Sequence, residues 1–219
     1  MLKNKRFLNA ACWTAAALLF TLLIKLVDVR NAGVAGTPLG FAGINTAVHD
    51  ALGTSSFWYT VSKVLGICAI LTALFFAGMG LWQWYRRKSL KEVDRVFFVL
   101  AALYVLVVIL WKGFDVLALN YRPVLENGVP EPSYPSTHTL LGVVLFCSAV
   151  PMIMTYMKRG TLRNILALCA IAAAFLTVLA RFLSGVHWFT DIIGGLLISA
   201  ALLSWFWFFA KQEKRAETA

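Results

Sequence analysis

Charge is what this chain has least of. Only 14% of its 219 residues are Asp, Glu, Lys or Arg, against roughly 25% in an ordinary soluble domain. That is too little to cover a water-facing surface, which excludes a soluble globule, a disordered chain and a coiled coil. Acidic residues are scarcer still, 10 against 20 basic ones. Cysteine is limited to Cys12, Cys68, Cys147 and Cys169, each inside an apolar run and with no CxxC spacing. They read as small hydrophobes of a helical core rather than as a disulfide or metal framework. Histidine occurs 3 times. No GxGxxG, P-loop, HExxH or GxSxG pattern occurs, so the chain carries the signature of none of those chemistries.

What is abundant is apolar: 60% of residues are hydrophobic. A helix needs about 20 such residues to cross a bilayer. The candidate spans are Phe7–Ile24, Val64–Tyr85, Val96–Trp111, Thr139–Met157, Asn164–Ala180 and Ile192–Ala210. The shorter ones extend through flanking polar residues that snorkel or line a cavity. The first exceeds the roughly 7–15 apolar residues of a signal peptide and reads as a retained helix. The fold class is therefore all-α. We expect a polytopic integral membrane protein, a six-transmembrane-helix bundle forming one domain over residues 1–219.

Charge then orients the bundle. Lys3, Lys5 and Arg6, the group from Arg86 to Arg95, Lys158, Arg159 and Arg163, and the tail Lys211, Lys214 and Arg215 hold 14 of the 20 basic residues. They recur at every second crossing, so they mark the cytoplasmic side and place both termini there. The basic surplus is a topology signal, and no nucleic-acid partner is expected. Trp82, Trp84, Tyr85, Trp205 and Trp207 read as an aromatic belt at that interface. The first external loop is Gly-rich with Phe41, Ile44, Phe57 and Trp58, which suggests a short helix on the membrane surface. Lys25, Arg30 and Lys63 read as snorkelling residues, and His49-Asp50 as a solvated pair.

The remaining polar residues gather at the external ends of spans three to six. They are Lys112 and Asp115, Arg122-Pro123, Pro135-Ser136-Thr137-His138, and Arg181 with His187 and Asp191. Ionisable groups at membrane depth are a functional hypothesis by default. His187 and Asp191 are four apart, which stacks them on one helix face. A carboxylate on one ring N–H leaves the other nitrogen free to attack. Arg122 and Arg181 offer guanidiniums suited to phosphoryl oxygens. Ser136, Thr137 and His138 open a helix whose unpaired N–H groups favour an anion. Ser136 as a plain helix cap is the bland alternative. Trp188 is either a wall of this site or an interface anchor.

Taken in order, Arg122-Pro123, Pro135-Ser136-Thr137-His138 and Arg181-x5-His187-x3-Asp191 resemble the three-part signature of the type 2 phosphatidic acid phosphatase superfamily. Composition alone predicts about 0.003 occurrences of the third part. In that family a Lys usually stands ahead of the Arg-Pro pair with six residues between them. Here that position is Asp115, and Lys112 lies about one helical turn earlier. Either Lys112 reaches the phosphate or that contact is missing.

The resemblance implies a membrane lipid phosphatase that needs no metal and no cofactor. His187 would attack phosphorus, Asp191 would orient it, and His138 would serve as acid and then base. Arg122, Arg181, Ser136 and Thr137, with Lys112 where it reaches, would hold the phosphoryl oxygens. The core motifs lie within residues 112–191. The partners would be a lipid phosphate substrate and membrane lipids, with the site on the extracytoplasmic face of the cell membrane. Undecaprenyl diphosphate, phosphatidic acid and phosphatidylglycerophosphate are the substrate candidates. A degenerate family member that binds or moves phospholipids, and a phosphotransferase to an acceptor other than water, are the alternatives.

Overall fold

The structure is a computed structural model that describes residues 2–125 and 128–210. The basic tail residues Lys211, Lys214 and Arg215, and Glu126 of the external loop, lie outside the described residues.

Seven α-helices are present among the described residues. They are α1 (Leu2–Leu23), α2 (Ala42–Leu52), α3 (Ser56–Arg87), α4 (Arg95–Leu117), α5 (Thr137–Tyr156), α6 (Thr161–Leu183) and α7 (Phe189–Phe209). All but α2 are long and apolar enough to cross a membrane. The protein is therefore an all-α, multi-pass bundle. α2 is the short helix of the first loop, held to the bundle by Asn45 rather than by apolar contact alone. The Asn45 amide donates to Thr190 Oγ1 at 2.8 Å and accepts the Thr190 N–H at 3.1 Å. In effect it caps α7 from a distance.

Helix ends differ from the charge-delimited spans in one consequential place. α3 begins eight residues before Val64, because Ser55 accepts the Trp58 N–H as an N-cap and Lys63 does not interrupt the helix. The Lys63 ammonium instead lies 4.3 Å from the Tyr59 ring centroid, a cation–π contact. The added turns carry Tyr59 and Ser62 toward α6.

α5 and α7 form the centre. Half of the apolar window of α5 is buried, against 11% of that of α1. Leu100, Leu103 and Val107 of α4, Leu140 and Val144 of α5, and Leu202 and Phe206 of α7 make the main core. Close helix approach depends on small residues, as expected where lipid gives no hydrophobic drive between helices. A Cβ on Gly142 of α5 would sit 2.6 Å from Thr177 of α6, and one on Gly195 of α7 3.1 Å from Thr139 of α5. The cysteines depart from expectation. Cys12, Cys68 and Cys169 are exposed on outer helix faces and only Cys147 is partly buried, because a bundle in lipid turns apolar residues outward as readily as inward.

Polar contacts tie each end of the bundle. At one end the Ser55 N–H donates to Ser184 at 3.1 Å, and the hydroxyls of Thr21 and Tyr134 meet at 2.8 Å. At the other, Asp94 ahead of α4 receives Arg87 at 2.8 Å, Tyr156 at 2.7 Å and Gln83 at 2.9 Å. Burial opposes the ionisation of Asp94. Hydrogen bonds from Arg87, Tyr156 and Gln83, with the Arg87 charge, outweigh it and hold the carboxyl below its ordinary value.

Candidate active site

The first of these ends holds the polar residues that the sequence singled out. α6 stops at Leu183, and the chain turns through Gly185 at φ 67° before α7 begins. A Cβ at Gly185 would lie 2.0 Å from the Gly53 carbonyl oxygen, so the turn needs a residue without one. The turn throws His187 inward: its side chain is 2% exposed and that of Asp191 is fully buried. His187 stands ahead of α7, one residue before the N-cap Trp188, rather than on the helix as its spacing suggested. Asp191 fixes that start by accepting the Trp188 N–H at 3.0 Å, a favourable place for a carboxylate. Its Oδ2 still lies 3.5 Å from His187 Nδ1.

On the other side of the ring, Arg181 Nη2 is 3.1 Å from His187 Nε2. A guanidinium can only donate, so Nε2 is the acceptor and the ring proton belongs on Nδ1, toward Asp191. Arg181 is itself only 1% exposed. It is held by Ser62 Oγ at 3.1 Å and by the Tyr59 ring, 5.4 Å from its Cζ. Ser62 in turn donates to the Tyr59 carbonyl at 2.7 Å.

Burial pushes the His187 pKa well below the usual imidazole value. The charges of Arg181, Arg122 and His138 act in the same direction, opposed by a contact with the Ser133 main chain. Burial and those charges both favour the neutral ring.

His138 comes from the first turn of α5 and reaches the same end. Its ring packs on α3, where a Cβ at Gly66 would lie 3.1 Å from Cδ2. Ser136 is the N-cap residue of α5 but makes no side-chain cap. Its hydroxyl accepts from Thr139 at 3.0 Å and its N–H donates to the Asp191 carbonyl at 3.0 Å, locking α5 to α7. Thr137, the first residue of α5, is half-buried. Arg122 is anchored by its N–H on Glu131 at 2.9 Å, and its Nε lies 3.6 Å from the Glu131 carboxylate.

Lys112 is placed differently. Its ammonium pairs with Asp115 at 3.6 Å and lies 4.2 Å from the Trp111 ring centroid, with 64% of the side chain exposed. The structure does not bring it to the buried cluster, because Lys112 lies on the exposed face of α4 while Phe114 on the other face packs on Tyr134. Trp188 is a wall: it is 4% exposed, and its indole N–H donates to Tyr121 at 2.6 Å. His49 meets it edge-on at 5.4 Å.

Sequence reasoning missed Ser62, Asn120 and Asn45. Asn120 is fully buried, with its amide nitrogen 3.5 Å from Asp191 Oδ1 and its amide oxygen accepting the Gly40 N–H at 3.2 Å. It lies two residues before Arg122, and this adjacency was the signal that could have found it. Ser62, next to Lys63 and ahead of the charge-free run, carried no such signal.

A buried imidazole, an oriented carboxylate, a second imidazole and two guanidiniums gather at one end of the bundle. Such a set can bind an oxyanion and exchange a phosphoryl group. No curated protein matches the sequence. The family model described as the PAP2 superfamily matches residues 97–215. In fold, the chain is similar to the crystal structure described as the first transmembrane PAP2 type phosphatidylglycerolphosphate phosphatase, from Bacillus subtilis. The TM-score is 0.66 at 16% identity, with 95% of this chain and 98% of that chain covered.

Proposed function

This chain belongs to the PAP2 superfamily, and on that premise we propose that it is a membrane lipid phosphatase working through a phosphohistidine on His187. The support is the His187 ring, with Nε2 turned to Arg181 and Nδ1 to Asp191. A phosphoryl group entering between Arg122 and Arg181 takes over the Arg181 N–H and frees the Nε2 lone pair. Attack forms the N–P bond and breaks the P–O bond to the lipid, while His138 gives a proton to the leaving oxygen. Water then attacks the phosphohistidine, losing its proton to His138. The P–N bond breaks and inorganic phosphate leaves. Asp191 balances the positive ring throughout.

Ser136, Thr137 and the first N–H groups of α5 add donors for the phosphoryl oxygens. The guanidiniums supply the positive charge that a metal would otherwise bring, so the reading is of a metal-independent enzyme. The basic loops at the opposite end support an extracytoplasmic site, by the positive-inside rule. Substrates would then be outer-leaflet lipid phosphates or diphosphates: phosphatidic acid, phosphatidylglycerophosphate or undecaprenyl diphosphate. The non-catalytic alternative draws its support from Asp115 standing where the family usually has Lys, and Asp115 is engaged by Lys112. A phosphotransferase would use the same residues and is distinguished by its products.

The test is phosphate release from short-chain forms of these three lipids by purified protein and by His187→Ala, with and without a chelator. We expect release by the wild type alone, unaffected by chelation. Equal release by both proteins would end the enzymatic reading, and loss on chelation would end the metal-independent one.

A further inference from the structure

At the end of the bundle away from the imidazoles, α3 and α4 part and leave an apolar groove of about 300 Å³. Phe76, Phe97 and Leu100, all buried, form its floor. Small residues give it width: Ala77 and Gly80 on α3, Ala101 on α4. The groove opens at Trp84 and Leu90 beside the basic loop and closes at Tyr104, whose hydroxyl is taken up by Ser148 at 3.1 Å. From Arg95, where α4 begins, to Tyr104 the helix rises about 14 Å, close to the hydrocarbon depth of one leaflet, about 15 Å. In the loop beside the groove Lys88 and Lys91 are exposed, as is Glu92. Arg86 and Lys88 lie over the belt rings Trp82 and Tyr85, 5.6 and 4.6 Å from the centroids.

We infer that this groove holds one acyl chain of an anionic phospholipid from the leaflet on the basic side, with its headgroup phosphate on Lys88 and Lys91. Helices in lipid are held together by packing rather than by exclusion of water. A gap at membrane depth is therefore filled by the apolar matter to hand, which is a lipid tail. A slot about one leaflet deep, with Lys88 and Lys91 on the loop beside it, suits a single chain with an anionic head. A zwitterionic head would bring its own ammonium against those cations. The groove and the two imidazoles lie at opposite ends of the bundle, so this lipid is not the substrate, and the inference stands apart from the proposed reaction.

The test is native mass spectrometry of the full-length protein in detergent, titrated with dioleoyl phosphatidylglycerol or dioleoyl phosphatidylcholine. The wild type is expected to retain one phosphatidylglycerol at least about tenfold more tightly than phosphatidylcholine. Ala77→Phe/Ala101→Phe places rings on two exposed positions of the groove wall and should abolish that retention while sparing phosphate release. Lys88→Gln/Lys91→Gln should lower the preference for phosphatidylglycerol by about tenfold. Equal retention by the filled variant, or equal affinity of the wild type for the two lipids, would overturn the inference. Should the filled variant fail to fold, the charge variant decides alone, and an unchanged preference in it overturns the inference.

Discussion

The two nitrogens of His187 face opposite demands, and the residues around them meet both. Nδ1 is held toward a buried carboxylate and Nε2 toward a buried guanidinium, so the tautomer is set, and with it the nitrogen that attacks in the proposed reaction. Because burial and neighbouring cations lower its pKa, His187 stays unprotonated to a lower pH than an ordinary histidine. A nucleophile loses activity as pH falls through its pKa. The acid limb of kcat/KM, which reports the free enzyme, is therefore expected well below about pH 6.5. Arg122→Gln removes one depressing charge, so the pKa rises and that limb moves to higher pH. A pH series on both proteins checks this, and coincident acid limbs would contradict it. Lys112 supplies the contrast. Exposed and paired with Asp115, it should tolerate Lys112→Gln with kcat/KM within about twofold of wild type, as exposed ion pairs contribute little. A loss of about a hundredfold would return it to the phosphate site.

Among the elements, the α6–α7 turn and the start of α3 decide whether these residues meet. Gly185 lets the turn pass against Gly53 with positive φ. Gly185→Ala should therefore lower stability by about 2–3 kcal/mol and depress activity further, because His187 follows two residues later. Thermal unfolding in detergent, read beside phosphate release, checks both. A variant with wild-type Tm and rate would mean that the turn yields freely. The start of α3 matters because Ser62 holds one Nη of Arg181 while Gly66 seats His138. The sequence announced the six spans but not this extension. Lys63 bounds the charge-free run that starts at Val64, whereas in space its ammonium rests on Tyr59 and the helix runs through it from Ser56. The spacing of His187 and Asp191 likewise revealed their proximity but not that the helix begins between them. That depends on which backbone N–H Asp191 caps.

For the molecule as a whole, the ends of the bundle carry opposite chemistry. One gathers the imidazoles; the other carries Arg86, Lys88, Lys91, Lys158 and Arg159 on its loops. If the basic end is cytoplasmic, Val129→Cys in a cysteine-free background should react with a membrane-impermeant maleimide in intact cells. Lys158→Cys should react only after permeabilisation. The reverse pattern would move the site to the cytoplasmic face and the substrates to the inner leaflet.

The linear sequence by itself determined the six long apolar helices, and it singled out the two histidines, the aspartate and the two arginines as the candidate site. Hydrophobic run length, charge alternation and short-range spacing are local properties that survive without a fold. Tertiary structure alone decided that Ser62 holds Arg181, that Asn120 backs Asp191 and that Asn45 ties α2 to α7. It also decided that Lys112 turns outward. Each of those facts depends on helix rotation and on contacts between residues 71 or more positions apart, or on which face of a helix meets lipid, and these are settled only when the helices pack.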